Sequence, residues 1–255
     1  MSLMPFFAPR SVALVGASRK KGKVGHEILV SLLSGGFEGR VFPVNPQTEE
    51  VEGLRCYPDL ASIGETPDLV VIVVPTEAVA DVIRQCGQVG ARRVIVITSG
   101  FKEVGEEGRR REEHLVQLAR DAKIRMIGPN CLGLMCPAHK LNASFGGPLP
   151  EPGAIGYFSQ SGSLLAAIVD KARSGGVGFS KLVSIGNKAD VNELDVLRFL
   201  AQDEDTRVIA GYLETITDAD AFVREAERIS RDKPILLMKA GETGRPVAWA
   251  SGFLP

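Results

Sequence analysis

Leu69-Val70-Val71-Ile72-Val73-Val74 stand between Asp68 and Pro75 with no polar side chain among them. A run of this kind has no solvent face, so it predicts a strand covered on both sides, as in a parallel sheet flanked by helices. The surrounding pattern agrees. Short apolar runs at Ser11 to Val15, Arg40 to Val44, Arg93 to Thr98 and Arg125 to Ile127 alternate with amphipathic stretches at about Val24 to Leu33, Thr76 to Val89 and Glu107 to Ala122. This alternation specifies crossover helices over a parallel sheet and closes a first doubly wound α/β domain, residues 1–127.

Residues 128–150 are rich in proline and glycine with no sustained period, which reads as a linker. The alternation then restarts over 151–255. Strands are expected at Ala154 to Phe158, Lys181 to Ile185, Arg207 to Leu213 and Pro234 to Lys239, and helices at Ser163 to Arg173, Glu193 to Ala201 and Asp218 to Ser230. That order describes a second open α/β unit of the flavodoxin-like kind. A formal net charge of -1 supplies no general basic field for nucleic acid or an acidic membrane surface. The apolar runs are too short to span a bilayer, and Met1 to Arg10 shows no secretory pattern, so a cytoplasmic protein is expected. The four scattered cysteines read as reduced thiols.

Two strand-to-helix loops carry chemistry. Val15-Gly16-Ala17-Ser18-Arg19-Lys20-Lys21-Gly22-Lys23-Val24-Gly25 leaves the first strand and opens a helix, where glycines let the backbone approach a phosphate and the helix dipole favours an anion. The spacing is not the G-x-G-x-x-G dinucleotide fingerprint, and the second strand ends Val44-Asn45-Pro46 without the acidic residue an NAD site uses for ribose. Phe158-Ser159-Gln160-Ser161-Gly162-Ser163 makes the same kind of junction in the second half and reads as a phosphate cradle. It differs from a serine nucleophile elbow, having Ser159 where that motif has glycine and no histidine after it. Val74-Pro75-Thr76 and Thr98-Ser99-Gly100 should face the crevice beside Ser18 and Asn45. Thr76 reads equally well as a helix cap.

Together, Val12-Ala13-Leu14-Val15-Gly16-Ala17-Ser18, Val44-Asn45-Pro46, Ile127-Gly128-Pro129-Asn130-Cys131-Leu132-Gly133 and Ser159-Gln160-Ser161-Gly162-Ser163 resemble the CoA-binding part of NDP-forming acyl-CoA synthetases, relatives of the succinyl-CoA ligase alpha subunit. The likeness runs from about Pro5 to Gly241. It implies a Rossmann-like CoA-binding domain followed by a flavodoxin-like ligase domain. It also implies CoA contacts from Gly16, Ser18, Lys23, Asn45, Pro46, Pro75, Ser99 and Gly100, with Asn130 near the thiol end. Ser159, Gln160, Ser161, Gly162 and Ser163 would hold phosphate. Glu214 would orient a catalytic histidine; without the resemblance it reads equally as a solvated helix cap beside Thr215 and Thr217. Asn187 and Asp190, in the turn before the next helix, are expected near the same face, with a structural role first. The implied partners are CoA or acyl-CoA, phosphate and an ATP-grasp beta subunit or domain, with no nucleic acid, no membrane and homo-oligomerisation left open.

The family reaction passes a phosphoryl group through a histidine, an imidazole being a good nucleophile near neutral pH. This sequence has only His26, His114 and His139. His26 begins a helix, with phosphate contact as its lesser reading, His114 sits in a charged stretch, and His139 with Cys131 and Cys136 lacks the spacing of a metal site. The family histidine belongs in the loop after Gly241, where this chain has none; Trp249 and Phe253 of the tail would pack on the domain or on a partner. The sequence therefore points to a synthetase alpha-type chain that does not complete phosphoryl transfer alone. The rival reading is a noncatalytic CoA or acyl-CoA sensing module. An NAD-linked oxidoreductase is opposed by Asn45 and by the second domain.

Overall fold

The computed structural model describes residues 2–240; the tail carrying Trp249, Phe253 and the expected histidine position lies outside them. The first half runs α1 (Met4–Phe7), β1 (Ser11–Val15), α2 (Val24–Ser34), β2 (Arg40–Val44), a small hairpin of β3 (Glu50–Val51) and β4 (Leu54–Arg55), β5 (Leu69–Ile72), α3 (Thr76–Val89), β6 (Arg93–Val96), α4 (Glu106–Asp121) and β7 (Arg125–Ile127). The second half runs β8 (Gly133–Cys136), β9 (Leu141–Ser144), β10 (Pro152–Ser159), α5 (Gly162–Gly175), β11 (Phe179–Ser184), α6 (Glu193–Gln202), β12 (Val208–Leu213), α7 (Ala219–Ser230) and β13 (Ile235–Lys239).

The first sheet has the order β2-β1-β5-β6-β7 and its neighbouring strands all pair in parallel. β1 and β5 sit side by side, Val12 opposite Leu69 and Val15 opposite Ile72, and every residue of both is buried. The apolar run thus meets helices on both faces, as its composition demands. The strand ends at Ile72, two residues short of its expected end, which releases Val73 and Val74 to the ligand face.

The second sheet has the order β13-β12-β10-β11-β8-β9. β10 to β13 form the parallel part, and β8 adds antiparallel to β11 through Leu134 opposite Val183 and Met135 opposite Leu182. The stretch 128–150 is therefore not a plain linker: it carries the β8–β9 hairpin. All eight residues of these strands are buried, so no alternation of polar and apolar positions betrays them in the sequence.

One apolar core crosses between the halves. Leu14, Ile28 and Leu32 of the first belong to the same cluster as Leu134, Leu141, Phe158 and Val183 of the second, and α2 packs on β9. The Phe7 and Phe199 rings stack 5.1 Å apart. Helix ends in the second half are set by side chains: Ser161 caps α5, Asn192 caps α6 and Asp218 caps α7, each accepting from first-turn N–H groups.

Candidate functional site

The first sheet reverses strand order between β1 and β5, the second between β10 and β12. In open α/β folds the crevice for ligands lies outside the carboxyl ends of the strands at such a reversal. Here the two crevices merge into one cleft of about 1020 Å³.

On the first-domain wall, Gly16 has φ +99°, and a Cβ on it would lie 2.4 Å from the Val73 carbonyl oxygen. Gly25 is held as closely, its Cβ position 2.0 Å from the Gly16 carbonyl oxygen. Only glycine permits this double approach, which brings the start of α2 against the turn after β1. Neither α2 nor α3 has a side-chain cap at its N-terminus; His26 and Ala78 N–H bond back to the Lys23 and Pro75 carbonyls, and the N–H groups of Val24, Gly25, Thr76 and Glu77 remain available. Lys20 and Lys23 line the same end. The Thr76 hydroxyl does not cap α3; it donates to the Ser99 carbonyl (2.7 Å) and ties two ligand-face loops together.

On the second wall, the Ser159 hydroxyl donates to the Ser161 carbonyl (2.6 Å) and accepts from the Ser161 N–H (3.1 Å), which folds the loop tightly. Ser161 Oγ caps Leu164 N–H at 3.3 Å and lies 3.2 Å from Ser163 Oγ. The Gln160 side-chain oxygen accepts from the N–H groups of Glu214 (3.0 Å) and Thr215 (3.1 Å), while its amide donates to Thr215 Oγ1 (3.1 Å). Gln160 therefore fixes the Glu214 turn to the serine loop. Lys239 Nζ adds a bond to the Glu214 carbonyl (2.7 Å). Glu214 is exposed and lines the cleft.

The walls are joined by a network centred on Asn187, which the sequence places in a turn near this face with a structural role. The buried Asn187 amide donates to Glu103 Oε2 (2.6 Å) and Glu112 Oε2 (2.8 Å), and its oxygen accepts from Asn130 Nδ2 (3.3 Å). Glu103 Oε1 in turn accepts from the N–H groups of Gly100 (2.6 Å) and Phe101 (3.2 Å). On the other side Lys188 Nζ donates to the Thr215 carbonyl (2.8 Å) and pairs with buried Glu193 (2.9 Å). A chain of bonds thus runs from the Gly100 loop to the Glu214 turn. Burial pushes the Glu103 carboxyl up, but the bonds from Asn187, Gly100 and Phe101 outweigh it and hold its pKa below the usual carboxylate value. Asn187→Leu, which leaves the buried Glu112 short of a donor, is expected to cost about 2 kcal/mol in urea unfolding at pH 7. Glu103 ionises more readily folded than unfolded, so its contribution is present above the unfolded pKa and lost as pH falls through the folded one. The gap between wild type and variant should therefore narrow on acidification; a constant gap would dismiss the Glu103 contribution.

Of the sequence-derived candidates, Gly16, Ser18, Lys23, Pro75, Ser99 and Asn130 line the cleft from one side, and Gln160, Ser161, Gly162, Ser163 and Glu214 from the other. Asn45, Pro46, Gly100 and Ser159 do not line it. Asn45 braces the glycine turn from behind, donating to the Ala17 carbonyl (2.7 Å), and Ser159 is fully buried under its loop. His26 is also turned away: its ring is buried between Glu27 (3.2 Å) and Glu52 (3.1 Å). His114 is exposed beside Arg84 on the outer helices. No imidazole lines the cleft among the described residues. Cys131 does line it, but burial pushes its thiol up to about 12 and it donates to the Val96 carbonyl (3.3 Å), so it is not a nucleophile there.

Lysines and bare helix starts at one end of a cleft, with a serine-lined helix start and a carboxylate at the other, define an α/β protein whose two sheets share one cleft with the shape and polarity for an extended anionic ligand. Comparison with known proteins agrees. Residues 10–137 match the family model described as CoA binding domain, and residues 152–252 match that of the succinyl-CoA ligase like flavodoxin domain. The chain belongs to the family of NDP-forming acyl-CoA synthetases and succinyl-CoA ligase alpha subunits, and its cofactor is CoA. It is 41% identical over 249 residues to the acetate–CoA ligase [ADP-forming] I subunit alpha of Pyrococcus furiosus, covering 96% of this chain and 54% of that one. It is 42% identical over 237 residues to acetate–CoA ligase [ADP-forming] I of Archaeoglobus fulgidus, covering 93% and 34% respectively. Among solved structures it is similar to the dinucleotide forming acetyl-coenzyme A synthetase 1 of Ca. Korarchaeum cryptofilum in complex with phosphate and ADP, with TM-score 0.91, 42% identity, and coverage of 95% of this chain and 52% of that one. The chain thus spans only a third to about half of the length of these relatives. Among the described residues no helix is long and apolar enough to cross a membrane.

Proposed function

We propose that this chain is the alpha-type, CoA-binding part of an NDP-forming acyl-CoA synthetase, which converts acyl-CoA, phosphate and a nucleoside diphosphate to free acid, CoA and nucleoside triphosphate. The observation that carries this reading is the single cleft shared by the loop after β1 and the loop after β10. In it, CoA lies with its phosphates toward Lys20, Lys23 and the starts of α2 and α3, and with its thiol end past Asn130. Gly16, Ser18, Pro75 and Ser99 shape its path; Asn45, Pro46 and Gly100 support that wall from behind. Phosphate sits at the start of α5, held by Ser161, Gly162 and Ser163 and by the helix dipole. Ser159 and Gln160 act indirectly, one folding the loop and the other fixing the Glu214 turn.

In this arrangement phosphate attacks the thioester carbonyl, the carbon–sulfur bond breaks, and CoA leaves as the acyl phosphate forms. Donors aimed at the developing charge at a helix start would supply electrostatic stabilisation. Glu214, which lines the cleft, would orient an imidazole brought there from outside the described residues, and the nucleotide site would belong to an ATP-grasp partner subunit or domain. The residues described here accordingly bind and position.

Calorimetric titration of the chain with CoA, acetyl-CoA and NAD tests the reading. CoA and acetyl-CoA are expected to bind with a stoichiometry of about one and NAD to give no heat. Binding of NAD without CoA would overturn it.

A further inference from the structure

Phe145 is a large apolar side chain that the fold leaves 39% exposed, and it lines the cleft. Its position follows from the β8–β9 hairpin. The ladder ends on Gly133 opposite Ser144, and one step further out Leu132 and Phe145 come opposite each other. Leu132 is gripped from two sides. A Cβ at Gly162 would lie 3.3 Å from the Leu132 Cβ, and a Cβ at Gly146 would lie 2.6 Å from its Cδ2. The hairpin end is therefore packed directly against the start of α5. On that helix Ser163 and Ala166, three residues apart and so on one face, both line the cleft. Leu132, Phe145 and Ala166 form an apolar wall contiguous with the serine-lined helix start. Among the described residues no cation belongs to this wall: the lysines lining the cleft, Lys20 and Lys23, come from the loop after β1.

Resting on the functional reading above, the thioester carbonyl must lie beside the phosphate at the start of α5, and its acyl tail then meets this wall. We propose that Leu132, Phe145 and Ala166 form the acyl subsite, that Phe145 limits the size of the acyl group, and that the group accepted carries no charge. An apolar wall discriminates by size, since an extra group must find room or be excluded. A free carboxylate on the acyl chain, as in a succinyl group, would be desolvated there without a partner.

The test is calorimetric titration of wild type, Phe145→Ala and Phe145→Trp with CoA, acetyl-CoA, phenylacetyl-CoA and succinyl-CoA. Phe145→Ala is expected to raise the affinity for phenylacetyl-CoA relative to acetyl-CoA by about tenfold, with CoA itself changed less than about twofold. Phe145→Trp should shift the same ratio the other way. Succinyl-CoA should bind more weakly than acetyl-CoA in all three proteins. If CoA binds but the phenylacetyl-to-acetyl ratio is the same in all three, the size-limiting role is overturned; if succinyl-CoA binds as well as acetyl-CoA, the uncharged-acyl assignment is. Failure of CoA to bind wild type would instead overturn the functional reading, and the acyl subsite with it.

Discussion

Gly16→Ala is expected to abolish measurable CoA binding, with an affinity loss of at least about a hundredfold, the scale on which a displacement of 1 Å in a positioned site is felt. The added methyl would lie 2.4 Å from the Val73 carbonyl oxygen and 2.7 Å from its carbon, backbone atoms with little room to retreat because Val73 N–H is bonded to the Val15 carbonyl at 2.8 Å. At φ +99° the new side chain also forces an unfavourable backbone conformation. Steric overpacking and backbone strain together should cost about 3 kcal/mol of stability. Gly22→Ala supplies the contrast. It sits in the same loop at φ +80°, but nothing lies within 4 Å of its Cβ position, so only strain of about 1 kcal/mol is incurred. Titration with CoA and urea melts of both variants decide the matter: equal behaviour of the two would sink the claim that the close approach of Gly16 to Val73 shapes the ligand wall.

Lys181→Met is expected to destabilise the protein by about 3 to 5 kcal/mol, because it breaks a buried ion pair from one side. The Lys181 side chain is fully buried in β11 and pairs with Asp203 at 2.7 Å and Asp205 at 3.1 Å. Asp203 is itself only 7% exposed, so it would be stranded as an uncompensated charge. The double variant Lys181→Met, Asp203→Leu should recover a large part of the loss, since replacing both partners removes the stranded charge. Burial pushes the Lys181 pKa down, but the hydrogen bonds to Asp203 and Asp205 outweigh it and raise it above the ordinary lysine value. Its contribution is therefore fully present below the unfolded pKa of about 10.4 and is lost as pH rises through the higher folded value. Urea unfolding at neutral pH and above pH 10 checks both statements. A double variant no more stable than the single one would show that the loss comes from packing and not from charge.

Strands with one decisive composition were legible from the sequence; segments whose identity depends on tertiary partners were not. The apolar run from Leu69 could only be a doubly covered strand, and the loops after Val15 and Phe158 advertised themselves by glycine and serine at a strand-to-helix junction. Residues 128–150 misled because glycine and proline mark turns equally well around a hairpin and in a linker. Thr76 was ambiguous because a threonine at a helix start has the same appearance whether it caps or, as here, reaches across to Ser99. His26 lay in the right stretch of sequence for a phosphate ligand, yet Glu52, twenty-six positions away, claims one ring nitrogen. Asn187 was marked by its turn, but Glu103 and Glu112 carried no local signal: the meeting of the three requires both domains to be folded. Phe145, placed by a hairpin that the sequence concealed, was invisible for the same reason.

The stacking of Phe7 on Phe199 and the seating of α2 on β9 bear on how the two halves depend on each other for stability. A recombination breakpoint within 128–150 would separate β8 and β9 from either α2 or β11, exposing Ile28 and Leu32 on one fragment or the flank of Val183 on the other. Neither fragment would be a self-sufficient cassette. The hairpin therefore couples the folding of the two halves, each completing the apolar core of the other.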